Sequence, residues 1–237
     1  MITLAFDSVA KVASVAVTDG ERLLAQYNVD NGLTQSELLL PMAEDVLRAL
    51  KLSFSDVELL ACTVGPGSFT GVRIGVSLVK GLAFGKNIPC VGVSALRALA
   101  ENLAGISGIV VPCMDARRDQ LYAAIFKSDK DGLTRLCDDM ALSTAALADM
   151  LKEYGEPIYI VGDGYAVAHK ALAAKGVTLE NTPPLLIPEN AYSCARCAVK
   201  KYERGEATDD LAIAPTYLRM PQAERERLER EKQEKEG

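Results

Sequence analysis

Apolar and polar positions in the first hundred residues alternate between short strand-like runs and longer segments with helical spacing. Asp19-Gly20 separates two of the short runs, which is typical of a hairpin turn. Thr34 and Glu37 form a capping box, which marks the start of a helix. The pattern predicts strands at 2–7, 12–20, 22–29, 59–64 and 89–93, and helices at 34–51, 70–84 and 94–104.

The second half repeats this order of elements. Run 108–115 is apolar and ends in Asp, as run 2–7 does. Strands mixed with crossover helices indicate an α/β fold with mixed sheets. We therefore predict two duplicated lobes, residues 1–106 and 107–220, followed by a charged tail, 221–237. The second lobe is predicted to contain strands at 108–115, 120–126, 133–142 and 158–164, and helices at 143–154, 165–176 and 191–205.

Composition excludes some classes of partner. The net charge is −6 and 49% of the residues are hydrophobic, which argues against a strongly basic nucleic-acid surface on this chain alone. The most apolar stretch, 72–84, contains Arg73 and Lys80 and is shorter than the roughly 18 residues of a membrane span. No segment has the pattern of a signal peptide. We expect a cytoplasmic protein without a membrane segment.

Metal and nucleophilic chemistry have little support in the sequence. His169 is the single histidine, so no H-x-x-x-H or H-E-x-x-H site exists, and no G-x-S-x-G is present. Cys194 and Cys197 form a lone C-x-x-C without further zinc ligands, and we interpret them as two thiols on one helix face. A magnesium site made only of carboxylates stays open. We predict no catalytic residue and no metal ligand in this chain.

The stretch GPGSFTGVRIG, 65–75, has the appearance of a phosphate loop. It lacks the lysine of the P-loop and the glycine spacing of a dinucleotide fingerprint. Two hypotheses remain: a weak anion site at the helix N-terminus, and a tight turn that Ser68 or Thr70 caps. The Asp residues that end strands 2–7 and 108–115 fit either a ligand crevice or a turn. The candidate nucleotide or anion crevice consists of Asp7, Ser8, Gly65, Gly67, Ser68, Thr70 and Asp115.

The helix after this loop is apolar on more than one face, so it needs more than one packing partner. The helix in 34–51 also has a broad apolar face. Both features indicate a surface that another subunit completes, unless the second lobe covers it. On this hypothesis Gly75→Arg or Leu39→Glu abolishes partner association and leaves the monomer folded. The predicted partner surface consists of Leu38, Leu39, Met42, Val46, Gly71, Gly75, Leu78 and Leu82.

These motifs resemble a known family. GPGSFTGVRIG at 65–75, AFDS at 5–8 and TQSELLLPM at 34–42 closely resemble the bacterial TsaB family, also called YeaZ. The segments MDARRDQLYAA at 114–124 and PTYLR at 215–219 are also similar to that family, as is the short VGDG. The resemblance covers residues 1 to about 220, and the glycine motif is its most specific part.

The resemblance implies a fold and a role. The fold is the actin/Hsp70-like ATPase (ASKHA) fold with two duplicated lobes. The role is that of a non-catalytic scaffold and activator in the complex that forms N6-threonylcarbamoyladenosine at position 37 of ANN-decoding tRNAs. The implied partners are a TsaD-type transferase and a TsaE-type ATPase, with tRNA reached through the complex and a homodimer formed through the first lobe. The implied cofactor is ATP or ADP at the complex interface, with none intrinsic to the chain.

One position departs from the family pattern. Many members have His before the segment that corresponds to 34–42, where this chain has Leu33. The catalytic paralogue uses first-lobe histidines to bind its metal, so the departure favours the non-catalytic role. A small-molecule kinase of the same fold is the alternative, and it would need a catalytic Asp and ATP affinity. A metalloprotease-like function has no motif in its favour.

Overall fold

Two mixed sheets with flanking helices make up residues 1–117 and 119–219, the part of the chain that the computed structural model describes. The predicted α/β fold class is confirmed. The predicted tail, 221–237, lies outside the described residues. The first lobe contains strands β1 (Ile2–Asp7), β2 (Ala13–Asp19), β3 (Arg22–Val29), β4 (Leu59–Thr63) and β5 (Cys90–Val93), and helices α1 (Gln35–Ala49), α2 (Phe69–Ala83) and α3 (Ala95–Glu101).

The first sheet has the strand order β3-β2-β1-β4-β5. Strand β1 pairs antiparallel with β2 and parallel with β4. Both faces of β1 are buried: Leu4 and Phe6 pack toward α1 and α2, and Ala5 packs on the opposite face. The predicted capping box is confirmed, since Thr34 and Glu37 satisfy each other's backbone donors at the start of α1.

The second sheet is built around β6. This strand pairs antiparallel with β7 and β8 and parallel with β11, which repeats the pairing of β1 in the first lobe. The predicted strands 120–126 and 133–142 are each split into two shorter strands. The second lobe contains β6 (Gly108–Asp115), β7 (Gln120–Ala123), β8 (Phe126–Asp129), β9 (Gly132–Arg135), β10 (Met140–Ser143) and β11 (Ile158–Val161), with helices α4 (Thr144–Leu151), α5 (Tyr165–Ala174) and α6 (Ala191–Glu203).

Helix α6 follows the second lobe in sequence but packs against the first sheet. Its buried face lies on the small residues Ala5, Ala16 and Ala61, which let the helix approach the strands closely. The chain after α6 stays there, because Thr208 and Cys90 exchange backbone hydrogen bonds. The sequence division at 106/107 groups this segment with the second lobe, whereas these contacts join it to the first.

A buried carboxylate joins α3 to α6. Glu101 is 2% exposed. Its oxygens lie 3.0 Å from Arg97, 3.1 Å from Arg196 and 2.9 Å from Lys200. Three cations surround one anion at the point where α6 crosses the first lobe. Their positive charges compensate the buried carboxylate, and the two pairs with Arg196 and Lys200 hold α6 in place.

The C-x-x-C lies on the buried face of α6. Cys194 and Cys197 both pack against the first sheet, as free thiols. Burial raises the pKa of Cys197 to about 12 and that of Cys194 well above its ordinary value, so both thiols stay protonated. The interpretation of two thiols on one helix face is confirmed. In residues 1–117 and 119–219, no three metal-ligating side chains are grouped closely enough to hold an ion.

None of the helices described above combines the length and the apolar character that a bilayer crossing requires.

Candidate functional site

A crevice of about 500 Å³ opens between the two lobes. The glycine loop, from Pro66 to Thr70, forms one wall, and Asp115 and Arg117 at the end of β6 form the other. Lys11 and Asp163 also line it, and residues 216–219 close one side. The structure therefore brings Gly67, Ser68, Thr70 and Asp115 together around one cavity, and the binding of a nucleotide or anion there stays a prediction.

The glycine loop is a tight turn that caps α2. The Ser68 amide donates to the carbonyl of Val9 at 2.7 Å, and the Ser68 hydroxyl accepts from the Gly71 amide at 3.2 Å. Gly67 has φ +152°, and a Cβ there would lie 2.6 Å from the Val9 carbonyl oxygen. Of the two sequence hypotheses, the structure has the turn with Ser68 as N-cap.

Three predicted crevice residues lie behind this wall. Asp7 is 1% exposed and accepts a 3.0 Å hydrogen bond from the Thr63 hydroxyl. The Ser8 hydroxyl donates to the Gly71 carbonyl, and a Cβ on Gly65 would meet the Thr216 carbonyl oxygen. Their prediction as lining residues is therefore corrected: none of the three lines this crevice, and they shape the loop from inside.

Sequence reasoning missed two carboxyl groups at the crevice, Asp163 and Glu189, which hydrogen bonds link to Asp115. Glu189 is 2% exposed, and its Oε1 accepts from the Asp163 amide at 3.0 Å. Asp163 in turn accepts from the Asp115 amide at 3.1 Å. Asp163 follows an apolar strand, as Asp7 and Asp115 do, and this position was the signal that could have found it. Glu189 lies in an irregular segment, and no such pattern marks it.

Burial and repulsion between carboxylates raise the pKa values of Glu189, Asp163 and Asp7, which favours their protonated forms. Burial, together with smaller contributions from the carboxylates of Asp163 and Asp7, raises the pKa of Glu189 to about 8. Burial likewise raises the pKa of Asp7 to about 6, against the opposing hydrogen bonds from Val9 and Thr63. Carboxyls that are protonated in the folded chain stabilise it at low pH relative to high pH.

Glu189→Gln is expected to flatten the pH dependence of stability. The folded pKa lies above the unfolded one, so the stabilisation is complete below pH 4.5 and is lost as pH rises through about 8. Gln keeps the acceptor for the Asp163 amide and never ionises. At pH 9 we expect the variant to exceed the parent by at least about 1.4 kcal/mol, the equivalent of one pKa unit.

Urea titrations at pH 5, 7 and 9 measure this difference. The exposed Glu44→Gln serves as the control and should follow the parent at all three values. A parent and a Glu189→Gln variant with parallel profiles would contradict the proposed protonation.

A second feature is an apolar groove of about 580 Å³ between α1 and the first half of α2. Leu40, 39% exposed, and the partly buried Ile74 and Leu78 supply its apolar surface. Phe69 and Thr70 line both this groove and the interlobe crevice. The two sites therefore share one wall, the first turn of α2.

Of the eight residues of the predicted partner surface, Leu39 and Leu78 line this groove. Leu38, Leu78 and Leu82 are partly exposed and remain a prediction. The other five are buried inside the first lobe, although Leu39 also lines the groove, so they have little or no surface to offer a partner. These five are Leu39, Met42, Val46, Gly71 and Gly75.

The contacts of Gly71 and Gly75 explain why these two residues are buried. A Cβ on Gly71 would meet the Ser8 carbonyl, and one on Gly75 would lie 2.6 Å from the Ser8 hydroxyl. Because Gly71 and Gly75 have no side chain, α2 can approach the chain's own β1–β2 turn. These glycines do not form a contact site for another helix. The sequence reasoning left out Ile74, which lies on the neighbouring stripe of α2, and Leu40 on α1; both line the groove.

Arg73 connects α2 to the segment that closes the crevice. Its guanidinium carbon lies 3.8 Å from the centre of the Phe69 ring, and its Nε donates to the Tyr217 hydroxyl at 2.9 Å. The Phe69 and Tyr217 ring centres are 5.0 Å apart. This stack fixes the guanidinium at the edge of the groove.

Comparison with known proteins agrees with this architecture. The family model TsaD, tRNA N6-adenosine threonylcarbamoyltransferase, matches residues 34–227. The tRNA threonylcarbamoyladenosine biosynthesis protein TsaB of Escherichia coli is 35% identical, over 92% of this chain and 95% of the relative.

Solved structures agree as well. YeaZ from Pseudomonas aeruginosa superposes with a TM-score of 0.76 at 25% identity, over 92% of this chain and 99% of that one. Component A of (R)-2-hydroxyglutaryl-CoA dehydratase from Acidaminococcus fermentans, at 12% identity, has a TM-score of 0.50 over 86% of this chain and 99% of that one, which shows the fold alone. The predicted actin/Hsp70-like fold is confirmed. On the strength of the sequence match and the shared structure, the chain belongs to the TsaB (YeaZ) family of tRNA threonylcarbamoyladenosine biosynthesis proteins.

Proposed function

We propose that this chain is a non-catalytic subunit of the machinery that forms N6-threonylcarbamoyladenosine in tRNA, where it binds and activates a TsaD-type transferase. Membership of the TsaB family supports the pathway, since the relatives carry that biosynthesis in their names. The resemblance suggests position 37 of ANN-decoding tRNAs as the modified site and a TsaE-type ATPase as a further partner.

The observation that carries the scaffold role is the groove between α1 and α2. A helix pair that leaves Leu40, Ile74 and Leu78 accessible on one surface is typical of a site that another helix covers. The groove also lies on the first lobe, which the resemblance implies as the partner-binding lobe.

The crevice suits a role that depends on the assembled complex. Lys11, Arg117 and Arg219 line it together with Asp115 and Asp163, so both charge signs face its interior. We propose that ATP or ADP binds there, if at all, only when a partner adds further contacts. Tight ATP binding with turnover by the isolated chain, measured by calorimetry and a phosphate assay, would instead favour a kinase.

Co-purification with the TsaD-type transferase of the same organism tests the proposal directly. We expect a stable complex and tRNA modification that requires both proteins. Transferase activity that is the same with and without this chain would contradict the activator role.

Leu40→Glu is expected to weaken binding to the transferase about 100-fold, because it places an unpaired charge in an apolar contact. Leu40 is 39% exposed, so the monomer should stay folded. Leu185→Glu is the matched control: it changes an exposed leucine, 85% accessible, that does not line the groove. If both variants bind the transferase as the parent does, the groove is not the contact surface.

A further inference from the structure

Two segments of the described chain lead from one lobe to the other. The first crossing, residues 102–107, joins α3 to β6, and the second, residues 187–190, leads from the second lobe back to α6 on the first sheet. The buried Ser128 hydroxyl of β8 anchors the first crossing by donating to the Leu103 carbonyl at 2.9 Å. A rotation of one lobe relative to the other therefore has to bend both segments.

One side chain, that of Asn102, joins the two crossings. Its Nδ2 donates to the carbonyls of Leu186 and Pro188, at 2.9 Å each. Its Oδ1 accepts from the Asn190 Nδ2 at 2.8 Å and from the Ser193 hydroxyl at 2.7 Å. A carboxamide has two N–H donors and an oxygen with two lone pairs, so all four positions are used. These bonds fix the two crossings relative to each other.

The end of α3 does not by itself explain an asparagine here. Asn is favoured at a helix end where the backbone is left-handed, but Asn102 has φ −58°. Its four hydrogen-bond partners are 84 to 91 residues away in the sequence. The side chain therefore acts between distant segments and does not serve as a local cap.

The second crossing also contacts a wall of the crevice. The Ile187 carbonyl accepts from the Gly162 amide at 2.7 Å, and the Glu189 Oε1 accepts from the Asp163 amide at 3.0 Å. Ile187 and Glu189 thus bind the turn after β11, whereas the residues between and beside them bind Asn102. Because Asp163 lines the crevice, a movement of that wall is transmitted through Glu189 to the segment that Asn102 holds.

We propose that the two crossings form one hinge between the lobes, that Asn102 locks this hinge, and that Glu189 couples the lock to the crevice. Widening of the crevice then requires the Asn102 hydrogen bonds to break, and a ligand that displaces Asp163 loosens the lock. All of the contacts that carry this role lie within the chain, so it does not depend on the proposed partners.

Asn102→Ala is expected to widen the range of distances between the lobes. Nitroxide labels at Glu44→Cys on α1 and Lys170→Cys on α5, both exposed, measure this range by pulsed electron spin resonance of the full-length chain. A Cys137→Ser background removes the partly exposed native thiol, since the other five are buried. The width of the distance distribution should increase at least about twofold. Asn181→Ala, which removes an exposed amide from the segment before the second crossing, should leave it unchanged.

Hydrogen exchange followed by NMR measures the coupling. Asn102→Ala should speed exchange of the Asp163 amide at least about tenfold, although the acceptor of that amide is Glu189 and not Asn102. Glu189→Ala should speed exchange of the Ser193 amide by a similar factor, although its acceptor is Asn190. Glu189→Gln keeps an acceptor for Asp163 and should leave the Ser193 amide as in the parent.

The double variant Asn102→Ala/Glu189→Ala measures the same coupling from both ends. If the two side chains act through one hinge, the second substitution adds little to the first, and the two effects on exchange are not additive. Additive effects would show two independent contacts and overturn the coupling.

Three other results contradict the proposal. Parent-like distances in a folded Asn102→Ala refute the lock, and a parent-like Asp163 amide in that variant refutes the coupling. Equal acceleration at the Ala5 amide in β1 would show a loss of global stability alone. Should circular dichroism show that Asn102→Ala is unfolded, Glu189→Ala decides: a Ser193 amide that exchanges as in the parent then overturns the proposal.

Discussion

Gly75→Arg is expected to unfold the chain, whereas Gly81→Arg in the same helix should leave it folded. A Cβ on Gly75 would lie 2.6 Å from the Ser8 hydroxyl and 3.9 Å from Cys62, in a site with no room for a side chain. The arginine would also place a charge in the first-lobe core. Overpacking and an unpaired buried charge together should remove at least about 4 kcal/mol, a large part of a typical domain's stability.

Gly81 is the matched control. It is exposed on the same helix, and a Cβ there meets nothing within 4 Å. Because Arg favours helix more than Gly does, Gly81→Arg should raise stability by up to about 1 kcal/mol. Denaturant unfolding followed by far-UV circular dichroism measures both. A folded Gly75→Arg monomer with near-parent stability would contradict the packing of α2 on the β1–β2 turn.

Variants at buried positions are unsuitable for testing the partner surface, because they alter folding as well as binding. From the sequence, Gly75→Arg and Leu39→Glu were expected to break association selectively. Leu39 is 1% exposed, so Leu39→Glu also buries a charge and should destabilise the monomer. Loss of binding by either variant therefore reports on folding, and Leu40 is the position that separates the two effects.

Glu101→Gln is expected to destabilise the chain by about 2 kcal/mol, because three cations lose their shared anion. The loss should fall short of that for a fully buried pair, since the Arg97, Arg196 and Lys200 side chains are 26%, 25% and 34% exposed. Helix α6 is the element that this change loosens, so limited proteolysis should cleave the variant near 191–203 before other sites.

Asp149→Asn provides the comparison on α4. Its ion pair with Lys152 is 3.0 Å long, but the Asp149 side chain is 74% exposed. Exposed pairs contribute little, so this variant should remain within about 0.5 kcal/mol of the parent. Equal effects of Glu101→Gln and Asp149→Asn would show that the buried cluster does not hold α6.

Much of the fold could be predicted from periodicity and turn chemistry. The capping box at Thr34, the hairpin at Asp19-Gly20 and the strand that ends in Asp115 all appear where the sequence indicated. The predicted strands at 120–126 and 133–142 were too long. Apolar alternation continues through each break, so periodicity gave no signal where pairing ends.

The candidate site was predicted less well, because it depends on which side of a helix faces solvent. Helix α2 is apolar on two stripes, and a helical wheel cannot tell which stripe meets the sheet. Gly71 and Gly75 lie on the inner stripe of α2 and contact Ser8, whereas Ile74 and Leu78 line the groove. Glu189 went unnoticed because its role arises from neighbours that are distant in sequence, Asp163 and Asp7.

The sequence by itself determined the α/β class, the repeated order of elements and the family, because each depends on local spacing or on a specific motif; it left the cap of α2 open between Ser68 and Thr70. Only the tertiary structure decided that α6 returns to the first sheet, that Glu101 and Glu189 are buried, and that Arg73 is the one charged residue among the described residues that line the groove. Those features arise from contacts between residues far apart in the chain, where burial and charge are set by the neighbours that folding brings together.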